Sequence, residues 1–87
     1  MNSKGKKKVN KVDYIPDDMR AKLGKRLRDL RIQRGYSNYD DFAYENDFSR
    51  AQVGRYENGQ DMRFSSLIKM LNALNISIEE FFSDGFK

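Results

Sequence analysis

Two arginines, Arg50 and Arg55, lie five residues apart in the stretch SRAQVGRYENG, with Ala51 between them. Arginine carries a planar fork of donors. The fork matches the O6 and N7 acceptors of guanine, a pair that no other base shows in the major groove, and it also matches phosphate oxygens. A small apolar residue such as Ala51 suits a thymine methyl or lets a helix sit deep. For these side chains to act together, one short helix must project them. Ser49 followed three residues later by Gln52 supplies its start as a capping box: the serine oxygen takes a backbone amide and the glutamine reaches back. Arg50 then falls in the first turn and Arg55 between one and two turns later, while Val53 and Tyr56 face a core. Arginines on a helix are also commonly plain solvated charges, and from these residues alone both readings stand.

Other chemistries are poorly served. The chain has 87 residues, no cysteine and no histidine, so disulfides, thiolate chemistry, zinc-finger ligation and imidazole catalysis are not expected. The acidic pairs Asp17-Asp18, Asp40-Asp41 and Glu79-Glu80 are neighbours about 100° apart on a helix and do not converge on one substrate. All three sit in first turns, where the helix dipole accounts for them. There is no glycine-rich phosphate loop and no nucleophile with a base partner. The expectation is a non-enzyme with no cofactor, metal or small-molecule ligand. No apolar run approaches a membrane span, and the N-terminal lysines are not followed by an apolar segment, so a cytoplasmic location is expected.

Charge is unevenly spread. Five lysines (Lys4, Lys6, Lys7, Lys8 and Lys11) precede the first acid, Asp13, and the net charge is +4, so the remainder is close to neutral. Residues 1–14 read as a disordered basic arm, either merely solvated or able to follow a phosphate backbone. Residues 15–87 read as one folded domain.

The elements that must position Arg50 and Arg55 are all helical, since no strand-like alternation occurs. Pro16 with Asp17-Asp18 predicts a helix start capped by an aspartate. Leu23, Leu27 and Leu30 form its buried face, which Met19 extends, and Gly35 ends it. This first helix spans about 17–34, with Lys22, Lys25, Arg26 and Asp29 on the opposite face. Asn38 caps a second helix starting at Tyr39, and Asn46-Asp47 turns the chain, both types tolerating left-handed angles. Phe42, Ala43, Val53 and Tyr56 are the apolar contacts between this helix and the one after Ser49. Phe48 and Val53 staple the entry to that third helix, and Asn58-Gly59 closes it. Gly54 inside it either permits close packing or is simply tolerated. Phe64, Leu67, Ile68, Leu71 and Leu74 trace a fourth helix over 64–75, whose cap is Arg63 or Ser65. Ser77 and Glu80 form a second capping box, stapled by Ile76 and Phe81, for a fifth helix over about 78–83. Periodicity alone leaves a plain αα-hairpin as open as a DNA-binding unit.

The ordered set of elements resembles the Cro/repressor-type helix-turn-helix family, the phage-repressor-like regulators. It comprises Leu23, Leu27 and Leu30 with Arg31, then Gly35, Phe42-Ala43, Ser49-Arg50, Val53, Arg55-Tyr56-Glu57, Asn58-Gly59, Leu67-Ile68 and Ile78 through Phe82. The resemblance covers roughly Leu23 to Phe82. It implies an all-α fold of five helices, the second and third forming the DNA-reading pair. It also implies that Arg50, Ala51 and Arg55 face base edges and that Asn38, Tyr39, Gln52 and Asn58 lie near phosphates. Arg31 and Glu57 match positions where the family often places a buried ion pair. The chain departs from the family pattern in four places. One extra residue stands between Gly35 and Phe42, Tyr39 replaces a customary glutamine, Asn46 a customary leucine and Asp47 a customary glycine.

The function implied is a sequence-specific transcriptional regulator, a repressor acting as a homodimer on double-stranded DNA with a two-fold operator. Its dimer surface is expected over Ile78 to Phe86, because three phenylalanines exceed what so short a helix buries. The rival expectation is a protein-interaction module, antitoxin-like or an adaptor, using the surface of the fourth and fifth helices. A cationic cluster of Arg50, Arg55, Lys22, Lys25 and Arg26 on one face would favour DNA, and an exposed apolar groove would favour a partner protein.

Overall fold

The structure, a computed structural model, describes residues 16–83. The basic arm over residues 1–14 and the last of the three phenylalanines, Phe86, lie outside the described residues. Five helices follow in order: α1 (Asp17–Gln33), α2 (Tyr39–Glu45), α3 (Arg50–Glu57), α4 (Phe64–Leu74) and α5 (Ile78–Ser83). No strand occurs among the described residues. Every helix contributes to one core, built from Leu27, Leu30, Phe42, Ala43, Val53, Tyr56, Leu67, Met70, Leu71, Leu74 and Phe81. Ala43 of α2 is buried in this core. Phe42 ties the α2 end of the core together, edge-on to Tyr36 at 5.3 Å and stacked on Phe48 at 6.0 Å between centroids. The Tyr36 hydroxyl donates to Glu45 Oε1 at 3.0 Å, and that bond, ahead of burial, raises the phenol above its usual pKa.

Four successive helices end in the same way. A residue in the left-handed region follows each of them: Gly35, Asp47, Gly59 and Asn75. The next amide in each case reaches back five residues, Tyr36 to Arg31 O, Phe48 to Ala43 O, Gln60 to Arg55 O and Ile76 to Leu71 O. These bonds satisfy carbonyls that the helix cannot, in the manner of a Schellman ending. Glycine takes two of the four sites, and asparagine and aspartate, the side chains that tolerate this backbone best, take the others.

Several expectations are corrected. No aspartate caps α1: Pro16 occupies the cap position without a side-chain bond, and Asp18 only accepts from the adjacent Met19 amide. A proline there loses nothing, because its missing N–H would have had no helical partner. Arg63, not Ser65, precedes α4, again without a side-chain cap. Met19 and Phe64 are 51% and 66% exposed rather than buried. Each sits in the first turn of its helix, past the edge of the core, where α1, α4 and α5 leave a shared apolar groove. Met70, which the α4 pattern passed over, is fully buried.

The backbones of α1 and the end of α3 lie close together. Gly24 is buried in α1, and a Cβ there would lie 2.6 Å from the carbonyl oxygens of both Tyr56 and Glu57. Gly59 completes the contact, its own added Cβ meeting the Ala21 backbone at 3.2 Å. Two turns of α1 further on, Arg31 grips Glu57 with both arms of its fork: Nε donates to Oε2 at 2.7 Å and Nη2 to Oε1 at 3.0 Å. Their side chains are 4% and 6% exposed. Arg31 Nη1 also donates to Tyr36 O at 2.6 Å, so the buried guanidinium is well provided with acceptors.

Two outcomes follow for unfolding experiments. Glycine to alanine in an open helix stabilises by about 1 kcal/mol. At Gly24 the sign reverses, because the neighbours are backbone and cannot step aside. Gly24→Ala is expected to lower stability by about 1–3 kcal/mol in urea titrations. Glu57→Ala leaves a buried guanidinium without its counter-charge and is expected to cost about 3–5 kcal/mol. Replacing Arg31 with methionine and Glu57 with leucine together should recover much of that loss. A Glu57→Ala protein that melts like the wild type would show that the pair does not tie α1 to α3.

Candidate nucleic-acid interface

Helix α3 begins as a reciprocal capping box. The Gln52 amide donates to Ser49 Oγ at 3.0 Å and the Ser49 amide to Gln52 Oε1 at 3.2 Å. With Val53 and Tyr56 committed to the core, the outer face of the helix presents Arg50, Ala51 and Arg55, all exposed. The box uses the carbonyl oxygen of Gln52 and leaves its side-chain amide donor, the group that a phosphate would need.

The two arginines differ in their surroundings. Arg50 Nε stands 3.6 Å from Asp40 Oδ1 in the first turn of α2, with both side chains largely exposed. Such a pair is worth little in water and is readily exchanged for another acceptor. Arg55 has no side-chain hydrogen bond or ion pair among the described residues.

Helix α2 is set against α3 by the turn between them. Asp47 takes φ +62°, the Phe48 amide closes on Ala43 O at 2.9 Å, and Asn46 Nδ2 donates to Phe42 O at 3.0 Å. Lys69 of α4 braces the turn from outside, donating to Asp47 O at 3.1 Å and lying 4.5 Å from the centre of the Phe48 ring. Asn38 caps α2 through Oδ1, which accepts from the Asp41 amide at 3.1 Å. Tyr39 then lays its ring over Gly54, where an added Cβ would meet the ring at 3.4 Å. The glycine inside α3 is therefore a packing site for the first residue of α2.

These placements gather Asn38, Tyr39 and Asn58 around one polar concavity, together with Ser37, Gly54 and the Arg31–Glu57 pair. Arg28 forms the α1 side of that concavity and was not singled out from the sequence. The signal was present, since Arg28 is three residues before Arg31 and shares its helix face. Gln52, Arg50 and Ala51 lie apart from the concavity, at the other end of α3.

Of the cationic cluster expected from Lys22, Lys25 and Arg26, two members have partners within the protein. Lys25 pairs with Asp29 at 2.8 Å. Arg26 donates to the carbonyls of Glu80 and Phe81, both at 3.2 Å, and lies over the Phe81 ring. Arg34 likewise donates to Leu74 O at 2.7 Å. These arginines cap the C-terminal ends of α5 and α4, where cations are favoured by the helix dipole.

Comparison with known proteins agrees with this geometry. A helix-turn-helix family model matches residues 27–81. The restriction-modification controller protein C.AhdI from Aeromonas hydrophila is 34% identical, with a TM-score of 0.65, the match covering 72% of this chain and 96% of that one. A point mutant of the restriction-modification controller protein C.Esp1396I, 24% identical with a TM-score of 0.66, shares the fold over 76% of this chain and 88% of its own. Among curated proteins no significant match was found. No helix among the described residues is long and apolar enough to cross a membrane. From the extent of the family match and the five-helix arrangement, the chain belongs to the Cro/C1-type helix-turn-helix family, a non-enzymatic family of DNA-binding regulators.

Proposed function

We infer that the chain is a sequence-specific transcriptional repressor that binds a two-fold operator as a homodimer, with α3 in the major groove. The observation that carries this reading is the outer face of α3. Arg50, Ala51 and Arg55 leave it together, and Arg55 has no partner among the described residues. In this reading at least one arginine takes guanine through O6 and N7, and Ala51 lies against a base edge. Asn38, Tyr39, Gln52 and Asn58 hold phosphates and fix the register. The likeness to a controller protein supports an operator belonging to restriction-modification genes. A cytoplasmic location follows from that role.

The second subunit is proposed to seat on the apolar groove lined by Met19, Leu23, Met62, Phe64, Leu67 and Phe82. Phe82 is 43% exposed while Phe81 is fully buried, so the last helix contributes to both core and surface. The same groove is the observation that favours the rival reading, an antitoxin-like or adaptor module binding a different protein.

Selection from random duplexes at low salt is expected to enrich a palindromic site, and no enrichment would overturn the DNA reading. Arg55→Ala should weaken binding to the selected site by about 1–3 kcal/mol and relax preference at one base pair per half-site. Arg50→Ala should do the same at a different base pair. If neither substitution alters any preference, α3 is not the reading element. In sedimentation at tens of micromolar the wild type is expected to be a dimer and Phe64→Asp a monomer of unchanged helicity. A monomeric wild type would overturn the DNA-independent dimer.

A further inference from the structure

Resting on the DNA reading above, we propose that Arg28 of α1 is a phosphate contact. Together with Asn38, Tyr39 and Asn58 it forms a subsite for one phosphodiester group of the DNA backbone. The first support is charge. Most of the cations of α1 and its cap are engaged inside the protein: Arg20 with Asp17, Lys25 with Asp29, Arg31 with Glu57, and Arg26 and Arg34 with helix-end carbonyls. Arg28 is exposed and has no such partner among the described residues, and it is the one uncommitted cation lining the concavity at the α2–α3 junction. The carboxylate in that concavity, Glu57, is already neutralised by Arg31. The net charge offered to a ligand is therefore that of Arg28.

The second support is the polarity of what remains. Asn38 has committed Oδ1 to the Asp41 amide, which leaves its Nδ2 donor. The Tyr39 hydroxyl and the Asn58 side-chain amide make no hydrogen bond among the described residues. Tyr39 is held in place by its ring, between Gly54 and the Arg31 guanidinium, whose carbon lies 5.9 Å from the ring centre. A cation and three available side-chain donors around one concavity suit a ligand that only accepts. Phosphate oxygens are such a ligand, and a base edge, with mixed donors and acceptors, is a poorer match. A guanidinium adds a bidentate grip.

The test is the salt dependence of binding to the selected duplex, compared between wild type, Arg28→Gln and Arg28→Lys. Arg28→Gln is expected to flatten the slope of log K against log salt by about 0.9, the loss of one neutralised phosphate, and to weaken binding roughly five- to tenfold near 0.1 M salt. Its ranking of single-base operator variants should match the wild type, and its melting temperature should be unchanged. Arg28→Lys keeps the charge and should keep the slope. An Arg28→Gln slope equal to the wild type, or a loss confined to particular base pairs, would overturn the subsite while leaving α3 as reader. A wild-type protein that binds no duplex would overturn both readings.

Discussion

The fold depends on how closely α1 can lie against the last turn of α3. Backbone meets backbone there, because Gly24 has no Cβ to hold the helices apart. That proximity brings Arg31 within reach of Glu57 and lets the pair form in a site almost closed to water. The ion pair by itself would be weak evidence of stability, since taking two charges out of water costs about as much as their attraction returns. Its value here is positional. A bidentate guanidinium–carboxylate contact tolerates little rotation, so it fixes the end of α3 relative to α1. The start of α3 is fixed separately by the Ser49–Gln52 box. A helix of eight residues held at both ends presents its outer face as a rigid unit.

The treatment of helix ends decides which charges remain for a partner. Short helices leave a large share of their backbone groups unsatisfied, and α2, α3 and α5 are all short. Left-handed residues close α1 to α4, and arginines from α1 and its cap close α4 and α5. A basic helix thus spends much of its charge on the fold itself. Among the described residues, Lys22 and Arg28 of α1, Arg55 of α3 and Arg63 before α4 keep side chains without such partners; of these, Arg55 lies on the outer face of α3 and Arg28 on the wall of the neighbouring concavity. This explains how a domain that is nearly neutral apart from its lysine-rich start can still be suited to a polyanion.

Three of the four departures from the family pattern are absorbed by identifiable contacts. Asp47 replaces a customary glycine and adopts a left-handed backbone, and Lys69 steadies its carbonyl from α4. Asn46 replaces an apolar residue and returns its side chain to the Phe42 carbonyl at the end of α2. Tyr39 replaces a shorter polar residue and needs space for its ring. Gly54, one helix away, supplies that space, so two choices that look unrelated in the sequence belong to one contact.

What the sequence determined alone was most of what is set within a few residues of itself, the cap of α1 excepted. The helix order, the two capping boxes, the glycine and asparagine stops and the alternation of core and outer positions on α3 all depend on neighbours three to five residues away. They were legible for that reason, and the family resemblance added the pairing of Arg31 with Glu57. Only the tertiary structure decided which side chains at comparable helical spacing met another element. Met19 and Phe64 carry on the apolar spacing of their helices, yet they open onto a groove because no helix covers that edge. Gly24 carries no side chain to signal a contact, yet it is where the α1 backbone lies against the carbonyls of Tyr56 and Glu57. Arg26 and Arg28 differ by two residues on one helix, but one faces the end of α5 and the other the α2–α3 junction. Local spacing gives a side chain its direction from its own helix axis. What it meets there depends on where the other helices pack.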